Sequence, residues 1–244
     1  MHPAEQLWRR HHPVTGYPAG VVPVPAAIPG IAFFPGGYGL WRPDVSQPLP
    51  AFPIGGTMVL GHDFHSEDGY QKSVDRTREA ESQPTWRVLL ELFHRVGIAP
   101  QECFFTNVYL GLRAGATTTG RFPGATDPIY VAHCTRFLAE QIAVQRPSLI
   151  VTLGINVPPL LGGLAPQLTA WTRHRGLRHL DDVGPVQIGV RFGDESASVT
   201  TVVALTHPSF RHASVRHRLY RGKVGDAAEI AMLNDALASV APAP

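Results

Sequence analysis

The sequence predicts an α/β fold, a three-layer sandwich in which a central, mostly parallel four-stranded sheet is flanked by helices. Three observations carry this. Short apolar runs rich in β-branched residues recur at 57–60, 103–109, 149–153 and 199–205, each of a length that suits a buried strand. Segments with helical apolar spacing stand between them, and strands that alternate with helices build a parallel sheet covered on both faces. Two of the runs break into residues that do chemistry: Thr57-Met-Val-Leu-Gly-His-Asp-Phe-His65 and Val202-Val-Ala-Leu-Thr-His-Pro-Ser209. In open α/β sheets ligands bind beyond the carboxyl ends of the strands, so these ends point to one cleft holding Asp63 and His207 as an acid and a base.

Residues 1–56 are dense in proline and glycine yet carry Trp8, Tyr17, Phe33, Phe34, Tyr38 and Trp41. Disordered chains are usually poor in aromatics, so an extended arm is expected here, packed on a single domain over 57–244. Strand 57–60 leads into a polar loop, 61–82, that contains Glu67, Asp68 and Asp75. A helix is expected over 84–96. Trp86, Leu89, Leu90 and Phe93 fall at i, i+3, i+4 and i+7, Ser82 is placed to cap it, Pro84 suits the first turn and Gly97 stops it.

Strand 103–109 gives way to a Gly/Thr loop. Asp127-Pro128 then opens a second helix with Tyr130, Cys134, Phe137, Leu138 and Ile142 on one face. Strand 149–153 runs into Gly154 and a helix carrying Leu160 and Leu161. The pattern over 165–198 is weaker, with one strand at 186–192. After strand 199–205, Asp226-Ala-Ala-Glu229 reads as a capping-box start to a C-terminal helix whose apolar face is Ile230, Leu233, Leu237 and Val240.

With 244 residues, 44% of them hydrophobic, the chain can bury a sizeable core. Its formal net charge is only +2, so any surface for a polyanion must be local. Cys103 and Cys134 sit in apolar contexts and read as buried thiols; two cysteines are too few for a four-cysteine zinc or iron–sulfur site. No run is long and apolar enough to span a membrane, and the N-terminus has no signal-peptide pattern. A cytoplasmic, monomeric protein is expected.

Asp63 reads either as a turn aspartate or as a catalytic carboxylate. With His62, His65 and His207 it also admits a metal site, although His-x-x-His in a loop lacks the helical spacing of a zinc protease. Asn107 ends an apolar strand, where an amide either pins a loop or presents a donor–acceptor pair to a base edge. Pro208 forces His207 into an extended conformation and so projects its imidazole at a defined angle, with the Ser209 hydroxyl two residues on. Phe210, Arg211, Arg216, Arg218, Arg221 and Lys223 form the densest basic stretch. It is either a solvated surface or a patch that grips phosphates behind an apolar wedge. Arg173, His174, Arg175, Arg178 and His179 form a second basic loop.

The order of these segments resembles the uracil-DNA glycosylase superfamily over about residues 57–220. Gly61-His-Asp-Phe-His65 resembles that family's first motif, a Gly-x-Asp-Pro-Tyr-His loop, without its proline and tyrosine. The stretch from Trp86 through Gly97 to Phe104-Phe-Thr-Asn107 is similar to the helix and second strand of the smaller bacterial branches, where the strand ends in a base-reading asparagine. Ile150-Val-Thr-Leu-Gly154 resembles the third strand, and His207-Pro-Ser209 the last motif.

The resemblance implies hydrolysis of the N-glycosidic bond of uracil, or a related deaminated base, in single- or double-stranded DNA, with no metal or cofactor. Asp63 would stabilise the cationic sugar, His207 would stabilise the departing base, and the activation of water would fall to Asp63, to His62, which stands where other branches place their carboxylate, or to neither. Asn107, with His62 and Phe64, would hold the base. Ser209, Phe210, Arg211, Arg216 and Arg218 would hold the DNA. Two other readings stay open. One is a metal-dependent hydrolase using His62, Asp63, His65 and His207. The other is a non-catalytic nucleic-acid-binding module on the same fold.

Overall fold

The computed structural model describes residues 1–11, 16–24, 51–75, 83–173, 175–193 and 197–240. Phe33, Phe34, Tyr38, Trp41, Ser82 and His174, named above, lie outside the described residues. The elements run α1 (Pro3–His11), β1 (Val21–Val22), β2 (Thr57–Gly61), α2 (Glu67–Asp75), α3 (Pro84–Val96), β3 (Cys103–Asn107), β4 (Leu112–Arg113), α4 (Pro128–Gln145) and β5 (Leu149–Leu153). They continue with α5 (Pro158–Gly162), α6 (Leu177–Val183), β6 (Val186–Arg191), β7 (Val199–Leu205), α7 (Arg211–Ser214), β8 (Leu219–Tyr220), β9 (Lys223–Val224) and α8 (Asp226–Ser239).

The central sheet has the order β3-β2-β5-β7-β6. The four apolar runs are its parallel strands, and their residues are almost all buried because the sheet is covered on both faces. Strand β6 adds a fifth member, antiparallel to β7. The connection between them is too short to hold a crossover helix, so a parallel return is not available. As an edge strand β6 is half exposed, which is why its pattern is weaker than the others.

Side-chain alternation along β3 shows how the layers are built. Phe105 meets Trp86 of α3, with ring centroids 5.1 Å apart. Its neighbour Thr106 points the other way and donates to Gln141 of α4 at 2.6 Å. Helix α8 lies beside α3, tied to it by Arg95–Asp226, while α1 packs outside α4 and buries Ala4 and Leu7. The molecule is therefore a three-layer α/β sandwich with a mostly parallel sheet.

Local chemistry explains the helix bounds. Asp127 accepts from the backbone N–H groups of Ile129 and Tyr130, both at 2.9 Å, and starts α4. Gly97, at φ 77°, ends α3 in the left-handed region. The position that caps α3 is Gln83, not Ser82, and its side chain makes no cap bond. The expected polar loop over 61–82 contains α2. Ser66 Oγ accepts from Gly69 N–H at 3.2 Å, Glu67 and Asp68 occupy the first turn, and buried Tyr70 anchors the helix. Both cysteines are free and buried, and burial raises their thiol pKa values to about 12 for Cys103 and about 11 for Cys134. Among the described residues no helix is long and apolar enough to cross a membrane.

Candidate active site

The parallel registers align Gly61 with Asn107, and Leu153 with Leu205. Four strands therefore end at one edge of the sheet, and the residues just beyond them line a cavity of about 810 Å³. His62 and Asp63 come from the end of β2, Asn107 from β3, Gly154 from β5 and His207 from β7. Segments distant in sequence thus meet where a parallel sheet places its ligand.

Asp63 is held by two side chains. Its Oδ1 accepts from Arg113 Nε at 2.9 Å, and its Oδ2 accepts from Arg113 at 3.1 Å and lies 2.7 Å from His62 Nδ1. Burial alone would raise the Asp63 pKa, but the hydrogen bonds and charges of His62 and Arg113 outweigh it and hold the carboxyl below its ordinary value. The stability that Asp63 contributes is therefore present above the usual carboxylate range and is lost as pH falls through its lowered folded value.

Arg113, the partner of Asp63, is not singled out by any pattern in the sequence. It is buried, lies 5.5 Å from the Phe122 ring centroid, and donates to the carbonyls of Thr119, Gly120 and Arg121. It joins the Asp63 loop to the Gly/Thr loop across the cavity. Its partner lies fifty residues upstream, so no local pattern marks it.

The sequence keeps glycine at two strand ends for close approaches. A Cβ at Gly61 would collide with the Asn107 amide oxygen, so β2 yields space to the side chain at the neighbouring strand end. Gly154 stands at φ 87°, and a Cβ there would come within 3.0 Å of His207 Cβ. Asn107 is buried and borders the cavity. The change Asn107→Asp is expected to alter the preferred base more than it lowers stability, because it replaces the amide donor with an acceptor. Ranked single-turnover rates on different bases, beside thermal midpoints, check this; an unchanged ranking and rate would make Asn107 a packing residue.

His207 is held in one tautomer. Its Nδ1 accepts from Ser209 N–H at 3.2 Å, which leaves the ring proton on Nε2. Burial lowers its pKa, against the pull of Asp63, so the neutral ring persists below the ordinary histidine range. Ser209 in turn shares a 2.5 Å hydrogen bond with Thr85 of α3. Phe64 lines the cavity and packs on Tyr70, with ring centroids 5.5 Å apart.

The basic stretch after Ser209 divides in two. Phe210 is 60% exposed at the cavity rim and Arg216 is exposed. Arg211 and Arg218 are buried, which corrects their expected role as phosphate contacts. Arg218 is 0% exposed, pairs with Asp181 at 2.8 Å and Glu229 at 2.7 Å, and donates to Ala204 O. Arg211 pairs with Glu229 and Asp226. Glu229 is not a capping-box residue either: Gly225 takes the cap position of α8. The Glu229 carboxylate points inward and accepts from Thr206 N–H at 2.6 Å. This buried ion network fastens the end of β7, next to His207, to α8. Outside it, Arg173, Arg175 and Arg178 are exposed.

Among the described residues no three His, Cys, Asp or Glu side chains gather in a way that would hold a metal ion. The Asp63 oxygens face Arg113 and His62, and His65 Nδ1 accepts from Ser66 N–H at 2.8 Å.

No curated protein matches the chain. The family model described as the Uracil DNA glycosylase superfamily matches residues 72–223, more than half of the chain. The match takes in Asn107, Arg113 and His207 and begins downstream of the Gly61–His65 loop. On that match, and with a three-layer fold whose strand ends hold the polar side chains, the chain belongs to the uracil-DNA glycosylase superfamily, a family of DNA glycosylases that act in DNA repair.

Proposed function

We propose that the cleft hydrolyses the N-glycosidic bond of uracil, or a related deaminated base, in DNA. The observation that supports this best is the meeting of Asp63, Asn107 and neutral His207 at one cavity with Phe210 exposed on its rim. A base inside a duplex is out of reach, so the nucleotide flips out or is already single-stranded. Asn107 reads the edge of the base and Phe64 borders it, while His62 lines the same cavity. As the bond breaks the sugar gains positive charge and the base gains negative charge. The Asp63 carboxylate favours the first, and the Nε2–H of His207 donates to the second. A neutral donor suits this role, because its proton is shared with the anion rather than lost to solvent beforehand.

Phe210 and Ser209 hold the DNA in this reading, with Arg216 as a phosphate contact; Arg173, Arg175 and Arg178 offer further positive charge. Phe210→Ala is expected to slow excision from duplex DNA and to spare single strands, where no stack has to be held open. Rates on the two forms of one oligonucleotide check this. Equal losses on both would assign Phe210 to packing instead.

The reading as a whole is tested with oligonucleotides carrying uracil, hypoxanthine or xanthine, incubated with the protein and then treated with alkali to break abasic sites. Strand breaks at one or more of these bases are expected. Tight binding of such strands without breaks would favour a non-catalytic nucleic-acid-binding module.

A further inference from the structure

We propose that His62, and not Asp63, takes the proton of the attacking water, with Asp63 and Arg113 as the residues that position it. This rests on the glycosylase reading above. Asp63 makes a poor base. Arg113 clamps both of its oxygens, at 2.9 and 3.1 Å, and His62 Nδ1 shares Oδ2 at 2.7 Å. Three donors thus occupy its two oxygens, and the guanidinium beside it, which itself spans to three backbone carbonyls, stabilises the carboxylate as an anion and weakens it as a base.

The same bonds prepare His62. A carboxylate on Nδ1 holds the proton there and leaves the Nε2 lone pair as the basic one, the logic by which an aspartate orients a catalytic histidine in other hydrolases. Aromatic side chains hold the plane of the ring. Tyr109 meets it edge-on with centroids 5.0 Å apart at 84°, Phe122 does so at 6.5 Å and 89°, and those two rings stack on each other at 4.8 Å. His62 borders the same cavity as His207.

The two histidines are set in opposite tautomers. His207 accepts at Nδ1 from a backbone N–H and carries its proton on Nε2. His62 faces a carboxylate with Nδ1, an arrangement that favours the tautomer with the proton on Nδ1 and the lone pair on Nε2. One strand end thus supplies a proton donor for the leaving base, and another supplies an acceptor for the water. In the step, the C1′–N bond breaks and its electron pair leaves with the base, whose charge rests against His207 Nε2–H. The water oxygen bonds to C1′, and the water proton moves to His62 Nε2. The resulting imidazolium is held by Asp63 and returns its proton to solvent, while the base anion takes one up.

The test uses single-turnover excision from a single-stranded oligonucleotide carrying the base that the wild-type protein removes best. His62→Asn keeps an amide near the position of Nδ1 for Asp63 but has no Nε2; it is expected to lose roughly 10²- to 10⁴-fold in rate, the usual scale for a general base, at an unchanged thermal midpoint. His62→Gly is expected to regain rate as imidazole is added to the buffer, and His207→Ala is not. A His62→Asn rate equal to wild type, or a His62→Gly variant indifferent to imidazole, overturns the proposal and leaves the glycosylase reading intact. A wild-type protein that releases no base overturns that reading and the proposal with it.

Discussion

His207→Ala is expected to lower the single-turnover excision rate by roughly two to four orders of magnitude while DNA affinity changes little, the scale for removing one donor aimed at developing charge. The expectation comes from how the ring is held. Ser209 N–H fixes Nδ1 at 3.2 Å and burial favours the neutral form, so the Nε2 proton is in place before the substrate arrives. Pro208 and the close approach of Gly154 fix the imidazole beside the cavity. Rapid-quench rates and a binding isotherm separate the two effects. Unchanged single-turnover kinetics would remove His207 from the chemistry, and an equal loss of affinity would make it a DNA contact.

Glu229→Ala is expected to destabilise the protein by about 3–5 kcal/mol, because it leaves buried charges without their partner. Glu229 is 0% exposed, meets both Arg211 and Arg218, and accepts from Thr206 N–H. Arg221→Ala removes a pair with Asp235 whose arginine is 69% exposed, and is expected to cost less than about 1 kcal/mol. Urea unfolding of both variants checks the contrast. Equal midpoints would show that the network is dispensable. Since Thr206 precedes His207, the Glu229 variant is also expected to lose activity at temperatures where it is still folded.

The strand ends were legible in the sequence because a buried parallel strand has to be a short apolar run. Whatever polar residue follows such a run is delivered to the same edge of the sheet. Asp63, Asn107 and His207 were found by that rule, and the cavity they line follows from it. Arg113 was hidden because a lone arginine after Leu112 reads as surface, and only the fold brings it to Asp63. Arg211 and Arg218 read as surface residues in the sequence for a related reason. Positive charge that is dense in sequence looks like a surface patch, but Asp181, Asp226 and Glu229 arrive from α6 and α8 to bury it. Glu229 was mistaken for a cap because a glutamate in a first turn usually faces solvent. Helix α2 reads as a loop in the sequence because its nine residues are mostly polar, with Tyr70 buried as an anchor. Strand β6 was seen, yet its edge position and antiparallel sense depend on the short return to β7.

On the proposed function, this cleft adds water across a base–sugar bond in DNA. The most direct measurement is mass spectrometry of the products formed from a uracil-containing oligonucleotide in water enriched in heavy oxygen. Free uracil and an abasic strand are expected in equal amounts, with one heavy oxygen on the sugar and none on the base. An intact oligonucleotide, a strand broken at phosphate with uracil still attached, or heavy oxygen on the base would contradict the proposed function.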